Sequence, residues 1–142
     1  MKLVVSLMLL FGVGASSTIA GMSQGCLAYE SGTVTLQGRI IRKIFAGPPN
    51  YESTKKGDER ETYWILRLNK VICVKEDESR SGTSETEKNV SQLQLVLDAE
   101  QYARYKNLRG KRVEVSGKLF HSHTGHHRTN VLLEVTEMKA AQ

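Results

Sequence analysis

Apolar and polar residues alternate over most of this chain, and the places where the alternation stops mark its turns. In TVTLQGRIIRKIF (33–45), Val34, Leu36, Ile40 and Phe45 stand among polar neighbours, the two-residue period of a half-buried strand. Gly47-Pro48-Pro49-Asn50 ends it, and a polar stretch to about Glu61 predicts an exposed loop. ETYWILRLNKVICV (61–74) predicts a second strand, bent near Asn69-Lys70. KEDESRSGTSETEK (75–88) holds no apolar residue and predicts a long mobile loop. QLQLVLD (92–98) is a third strand. Asp98 then caps a short helix over residues 99–109, with Gln101 placed to complete a capping box and Gly110 to end it. Tyr102, Tyr105 and Leu108 share one face of that helix. KRVEVSGKLFHSH (111–123) and RTNVLLEVTEM (128–138) predict the last two strands.

Three strands, a helix and two strands is the order of a mainly β fold, a five-stranded OB-like Greek-key barrel with one short helix between strands 3 and 4. An internal echo supports it: Val34, Leu36, Gly38 and Ile40 match Val113, Val115, Gly117 and Leu119 in spacing. A glycine inside a strand marks a bulge or a sharp bend, which a small barrel needs in order to close. A β-sandwich or meander with a packed helix is the alternative.

Residues 1–20 read as a signal peptide: Lys2, a short apolar run, then small residues with Thr18 and Ala20 placed for cleavage after Ala20. The run is shorter than the roughly 20 apolar residues of a membrane-spanning helix, so no stable membrane anchor is expected after cleavage. Ser23-Gln24-Gly25 before Cys26 lacks the apolar residue of a lipoprotein site. Residues 21–142 then form a single domain in an oxidising compartment, periplasmic or secreted, of a bacterium. Cys26 and Cys73 are the two cysteines, and an even count there predicts one disulfide. The net charge is +5. It comes from dispersed lysines and arginines, which suits solubility better than nucleic-acid binding.

All four histidines lie in LFHSHTGHHRTN (119–130): His121, His123, His126 and His127. Strand alternation places His121 and His123 on the side of Val113, Val115 and Leu119. A turn centred on Gly125 would pair Leu119 with Val131, His121 with Thr129 and His123 with His127. A tighter turn at Thr124-Gly125 would instead gather His121, His123 and His126. In either register three imidazoles on one side can surround Zn or Cu. The alternative is a polar hairpin tip whose imidazoles bond backbone or pack on Phe120. His-x-His-x-x-His lacks the aspartate of the metallo-β-lactamase motif, and the nearest carboxylates by sequence, Glu114 and Glu134, lie well down the strands. Tyr51 in the first loop and Tyr63 and Trp64 in the second strand are candidate stacking platforms for a ligand or partner. For Trp64 a core position is the competing assignment.

The segments GPPNYES, ETYWILRL, QLVLD…QYARY and GKRVEVSGKLFHSHTGHHRTNVLLEV resemble a family of small exported proteobacterial proteins catalogued as a domain of unknown function. LFHSHTGHHRT is the most specific part of the resemblance, which implies a periplasmic, β-rich domain and transfers no activity. The sequence therefore reads as a non-enzymatic periplasmic binding module. Its histidine hairpin and first strand-connecting loop would contact a protein partner, a small ligand or a metal ion. An inhibitor or immunity protein against an exported enzyme is the alternative, and a metal-dependent hydrolase the least favoured.

Overall fold

The computed structural model describes residues 25–76 and 86–142. The predicted signal peptide and most of the predicted 75–88 loop lie outside them. Six strands form one sheet: β1 (Leu27–Ala28), β2 (Thr33–Ala46), β3 (Arg60–Lys75), β4 (Glu87–Val96), β5 (Arg112–His121) and β6 (Val131–Ala140). One short helix, α1 (Ala99–Tyr105), followed by a 3-10 turn over Lys106–Leu108, links β4 to β5. The chain is mainly β with the helix where the sequence placed it, capped by Asp98 and Gln101 in a reciprocal pair of hydrogen bonds. No helix among the described residues is long and apolar enough to cross a membrane.

The expected count of five strands is corrected to six. The extra strand is a two-residue parallel pairing of Leu27–Ala28 with Val74–Lys75. Its cause is covalent: Cys26 and Cys73 are bonded, with Cα atoms 4.4 Å apart across 47 residues of sequence, and the bond lays the N-terminal segment along β3. The other strands are those of the sequence, with shifted ends. β4 begins at Glu87, inside the stretch taken as loop, and β6 begins at Val131 rather than 128.

The pairings run β3–β2–β5–β6–β4 and return to β3, with β4 and β6 parallel and the other neighbours in this circuit antiparallel. Inward-facing Leu36, Ile40, Trp64, Leu66, Leu93, Leu95, Val113, Val115, Leu119, Val131 and Leu133 form one buried cluster, closed by Tyr29 and Tyr105. Two glycines allow the strands to approach. A Cβ on Gly38 would stand 2.2 Å from the Arg67 carbonyl oxygen, and one on Gly117 would stand 2.1 Å from that of Glu134. Beside Gly117 the β5–β6 register slips, so that Gly117 faces Val135 but Val115 faces Met138. This bulge turns Met138 inward where strict alternation would have buried Glu137. β3 bends near Asn69-Lys70 as expected: it spends the residues from Arg67 to Ile72 against only Gln92 to Val90 of β4.

Candidate functional site

The histidine segment does not stand out from the sheet as a hairpin tip. Leu119 pairs with Leu133 and His121 with Val131, two residues beyond the expected partners, so residues 122–130 form a wide loop closed by Ser122 N–H on the Asn130 carbonyl. The loop is held to the outer side of the sheet by Gln94, which is only 3% exposed. The Gln94 side-chain amide donates to the His126 carbonyl (3.2 Å) and accepts from Arg128 N–H (2.6 Å), while its backbone N–H donates to Thr129 Oγ1 (2.8 Å). The amide thus bonds the loop as a neighbouring strand would. Ile65, Gln94 and Leu132 are register neighbours across β3, β4 and β6. Ile65 and Leu132 are fully buried yet lie outside the inner cluster. The loop on Gln94 gives this outer row a second, smaller core.

Glu61 sits where this loop meets the loop between β2 and β3. Its carboxylate accepts from the Arg128 guanidinium (2.6 Å), from Tyr63 O–H (2.9 Å) and from His126 Nδ1 (2.9 Å). Burial by itself would raise the Glu61 carboxyl, but the bonds from Arg128, Tyr63 and His126 outweigh it and hold the group below the usual carboxylate range. Burial first, and then the Glu61 carboxylate, push the Tyr63 phenol up to about 12, so it stays a donor at any physiological pH. Arg128 also donates to the Ala46 carbonyl, and its guanidinium carbon lies 5.3–5.8 Å from the ring centres of Phe45, Tyr51 and Tyr63. The Tyr51 ring meets His126 edge-on at 5.8 Å and lies 3.6 Å from the position of a Cβ on Gly125.

The first loop, expected to be an exposed connection, is internally braced. Asp58 is buried and accepts four hydrogen bonds, from the backbone N–H groups of Asn50, Glu52 and Ser53 and from the Asn50 side chain. These bonds, the Ser53 one first, lower its pKa. Gly47 and Glu59 add backbone bonds across the loop base. Tyr51 is therefore presented on a fixed frame while remaining 38% exposed.

The four imidazoles divide among three settings. His126, with its side chain 54% exposed, belongs to Glu61. His121 faces Glu87 at 3.4 Å and meets buried Tyr29 edge-on at 5.7 Å. Burial, and then Glu87, push the Tyr29 phenol up to about 12. His123 and His127 form the third group, their ring centres 4.6 Å apart and both rings against Phe120. His127 Nδ1 accepts from the His123 backbone N–H, so its proton resides on Nε2 when the ring is neutral. Burial and the neighbouring His123 and His126 lower the His127 pKa. The shared inner rim expected for three histidines is not formed. Among the described residues no three His, Cys, Asp or Glu side chains gather as a metal site. The loop turns out over Gln94 after His121 instead of continuing the strand, and this separates His121 from the His123–His127 pair.

Of the aromatic candidates, Tyr51 and Tyr63 come together at this surface and Trp64 does not. Trp64 is 5% exposed and packs edge-on against Tyr102 at 5.1 Å, on the opposite side of β3 from Tyr63. Adjacent strand residues face opposite ways, so one of the pair had to be inward. Sequence reasoning missed Glu61, Arg128, Gln94 and Phe45. Glu61 and Tyr63 do share a strand face by alternation, and Phe45 pairs with Glu61 across the strands; that signal was present but needed the register to be read.

No curated protein matches the chain at a significant level. A family model does match part of it. The matched segment contains Gln94, all four histidines and Arg128, and leaves out Cys26, Tyr51 and Glu61. Over residues 92–139 the chain is similar to a family described as a domain of unknown function (DUF4431).

Proposed function

We propose that this chain is an exported, non-enzymatic binding module whose Glu61-centred surface engages a protein partner. The observation that carries the reading is the interlock itself. Two loops far apart in sequence are joined through Glu61 to His126, Arg128 and Tyr63, and they present Tyr51 and His126 to solvent. Aromatic and arginine side chains on a braced frame are the usual anchors of protein interfaces, and bracing reduces the ordering cost of binding. Both Glu61 oxygens are occupied by donors, which suits a fixed hub better than a proton-transfer base. The disulfide and the signal-like N-terminus support export to the periplasm. With β1 set aside, the circuit β2–β3–β4–β6–β5 and the helix between β4 and β5 support an OB-like Greek-key barrel.

The test is capture of partners from a bacterial periplasmic extract with the mature, oxidised domain and with the Tyr51→Ala/His126→Ala variant. Both residues are exposed, so the variant should keep its circular dichroism and melting curve. A protein retained by the native domain and lost with the variant supports the reading; equal retention refutes it. Capture should survive a chelator, because Glu61 and Glu87 hold His126 and His121 in separate places. Loss on chelation would shift the reading to a Zn- or Cu-bridged contact. If the partner is an exported enzyme, its activity in the complex separates a docking module from an inhibitor. Cleavage after Ala20, read by mass, tests export.

A further inference from the structure

A second surface, independent of the first, lies where the helical segment meets β2 and β3. There a groove of about 510 Å³ is lined by Arg42, Thr62, Trp64, Tyr102, Lys106 and Arg109. Its floor is the perpendicular pair of Trp64 and Tyr102, of which Trp64 is buried and Tyr102 half-buried. Its rim carries three cations and a hydroxyl, and none of the six residues bears a carboxylate.

Among the described residues, none of Arg42, Lys106 and Arg109 forms an ion pair. The nearest acid along the helix, Glu100, is engaged by Arg104. Arg109 Nε donates to the Lys106 carbonyl (3.1 Å), which fixes its guanidinium beside the groove and leaves its terminal nitrogens available. Burial raises the Tyr102 pKa, so its hydroxyl stays a neutral donor. Three like charges around an apolar floor repel one another unless an anion lies between them. The volume is within the range of small-molecule sites, and guanidinium groups suit oxyanions through paired N–H donors.

We infer that this groove binds a small ring-bearing oxyanion: a phosphate or sulfate ester or a carboxylate attached to a ring, with the ring on Tyr102, beside the edge of Trp64, and the anionic group among Arg42, Lys106 and Arg109. Trp64 is the protein's one tryptophan, so its fluorescence reports the site directly. The full oxidised chain is titrated with phenyl phosphate, phenyl sulfate and benzoate, and with phenol and inorganic phosphate for comparison. At least one of the three ring-bearing anions should give a saturable change that weakens as salt is raised. It should bind more tightly than phenol or inorganic phosphate. The Lys106→Gln/Arg109→Gln variant, altered only at exposed positions, should bind about 10-fold or more weakly, since it removes two charged donors to the anion. Backbone amide shifts on binding should centre on Arg42, Thr62, Lys106 and Arg109. The inference is overturned if none of the three anions saturates, if the variant binds as well as the native chain, or if the shifts centre elsewhere. Phenol or inorganic phosphate binding as tightly as the ring-bearing anion would overturn it equally.

Discussion

Replacing Gln94 by alanine should release the histidine loop from the sheet. The substitution removes a donor to the His126 carbonyl and an acceptor for Arg128 N–H. It leaves both backbone groups in a place where Gln94 itself is 3% exposed. A buried polar group that loses its partner costs about 1–3 kcal/mol, so the two together cost about 2–6 kcal/mol if the loop stays down. Loop opening limits that loss, at the expense of exposing Ile65 and Leu132. Small domains have a total stability of about 5–15 kcal/mol, so the effect is measurable in urea. Hydrogen exchange distinguishes the two responses. The Ser122 and His127 amides keep their own partners, Asn130 and Thr124 carbonyls, in the variant. A loop loosened by 2 kcal/mol should exchange these amides about 30-fold faster, while the amides of β2 and β5 slow down or speed up only with global stability. Gln94→Glu would bury a carboxylate against the His126 carbonyl and should loosen the loop at least as much as Gln94→Ala. The reasoning fails if the Ser122 and His127 amides exchange at the native rate and the urea midpoint shifts by less than the equivalent of about 0.5 kcal/mol.

Two further perturbations probe other parts of the fold. Replacing Cys26 and Cys73 by serine should lower stability by about 4 kcal/mol in the chain-entropy account of a 47-residue closure. It should also speed exchange at Tyr29 N–H, which bonds the Lys75 carbonyl beside the bridge; an unchanged melting temperature would contradict the first and a native exchange rate the second. His127 contributes a pH dependence whose sign follows from its lowered pKa. The folded state binds the proton less well than the unfolded chain, so the contribution is complete above the ordinary value of 6.5 and is lost as pH falls from there through the folded pKa. Exchange at His123 N–H, which needs the unprotonated Nδ1 of His127 as acceptor, should quicken over the same window. His127→Asn, which keeps an acceptor but cannot titrate, should flatten the profile, and a profile unchanged in this variant would assign the dependence to another group.

Alternation along each strand, read from the sequence, was enough to find the strands β2 to β6, because burial of one face imposes a period of two on side chains. Asp98 and Gln101 announced the helix because capping is local chemistry. The cysteine pair announced the bridge because two cysteines behind a signal-like N-terminus are expected to pair. The sixth strand was not legible, since Leu27–Ala28 pairs only because the bridge lays it there. The bulge at Gly117 was marked only by the glycine; the inward turn of Met138 needed the register. The site depended most on tertiary structure. Alternation says that Gln94, Ile65 and Leu132 face outward, but it cannot say that a loop will return to cover them. It likewise puts Glu61 and Tyr63 on one face without saying that Arg128 and His126, more than 60 residues later, will reach them. Which side chains share a face is a property of neighbouring residues, whereas which loop covers that face is a property of the whole chain's path.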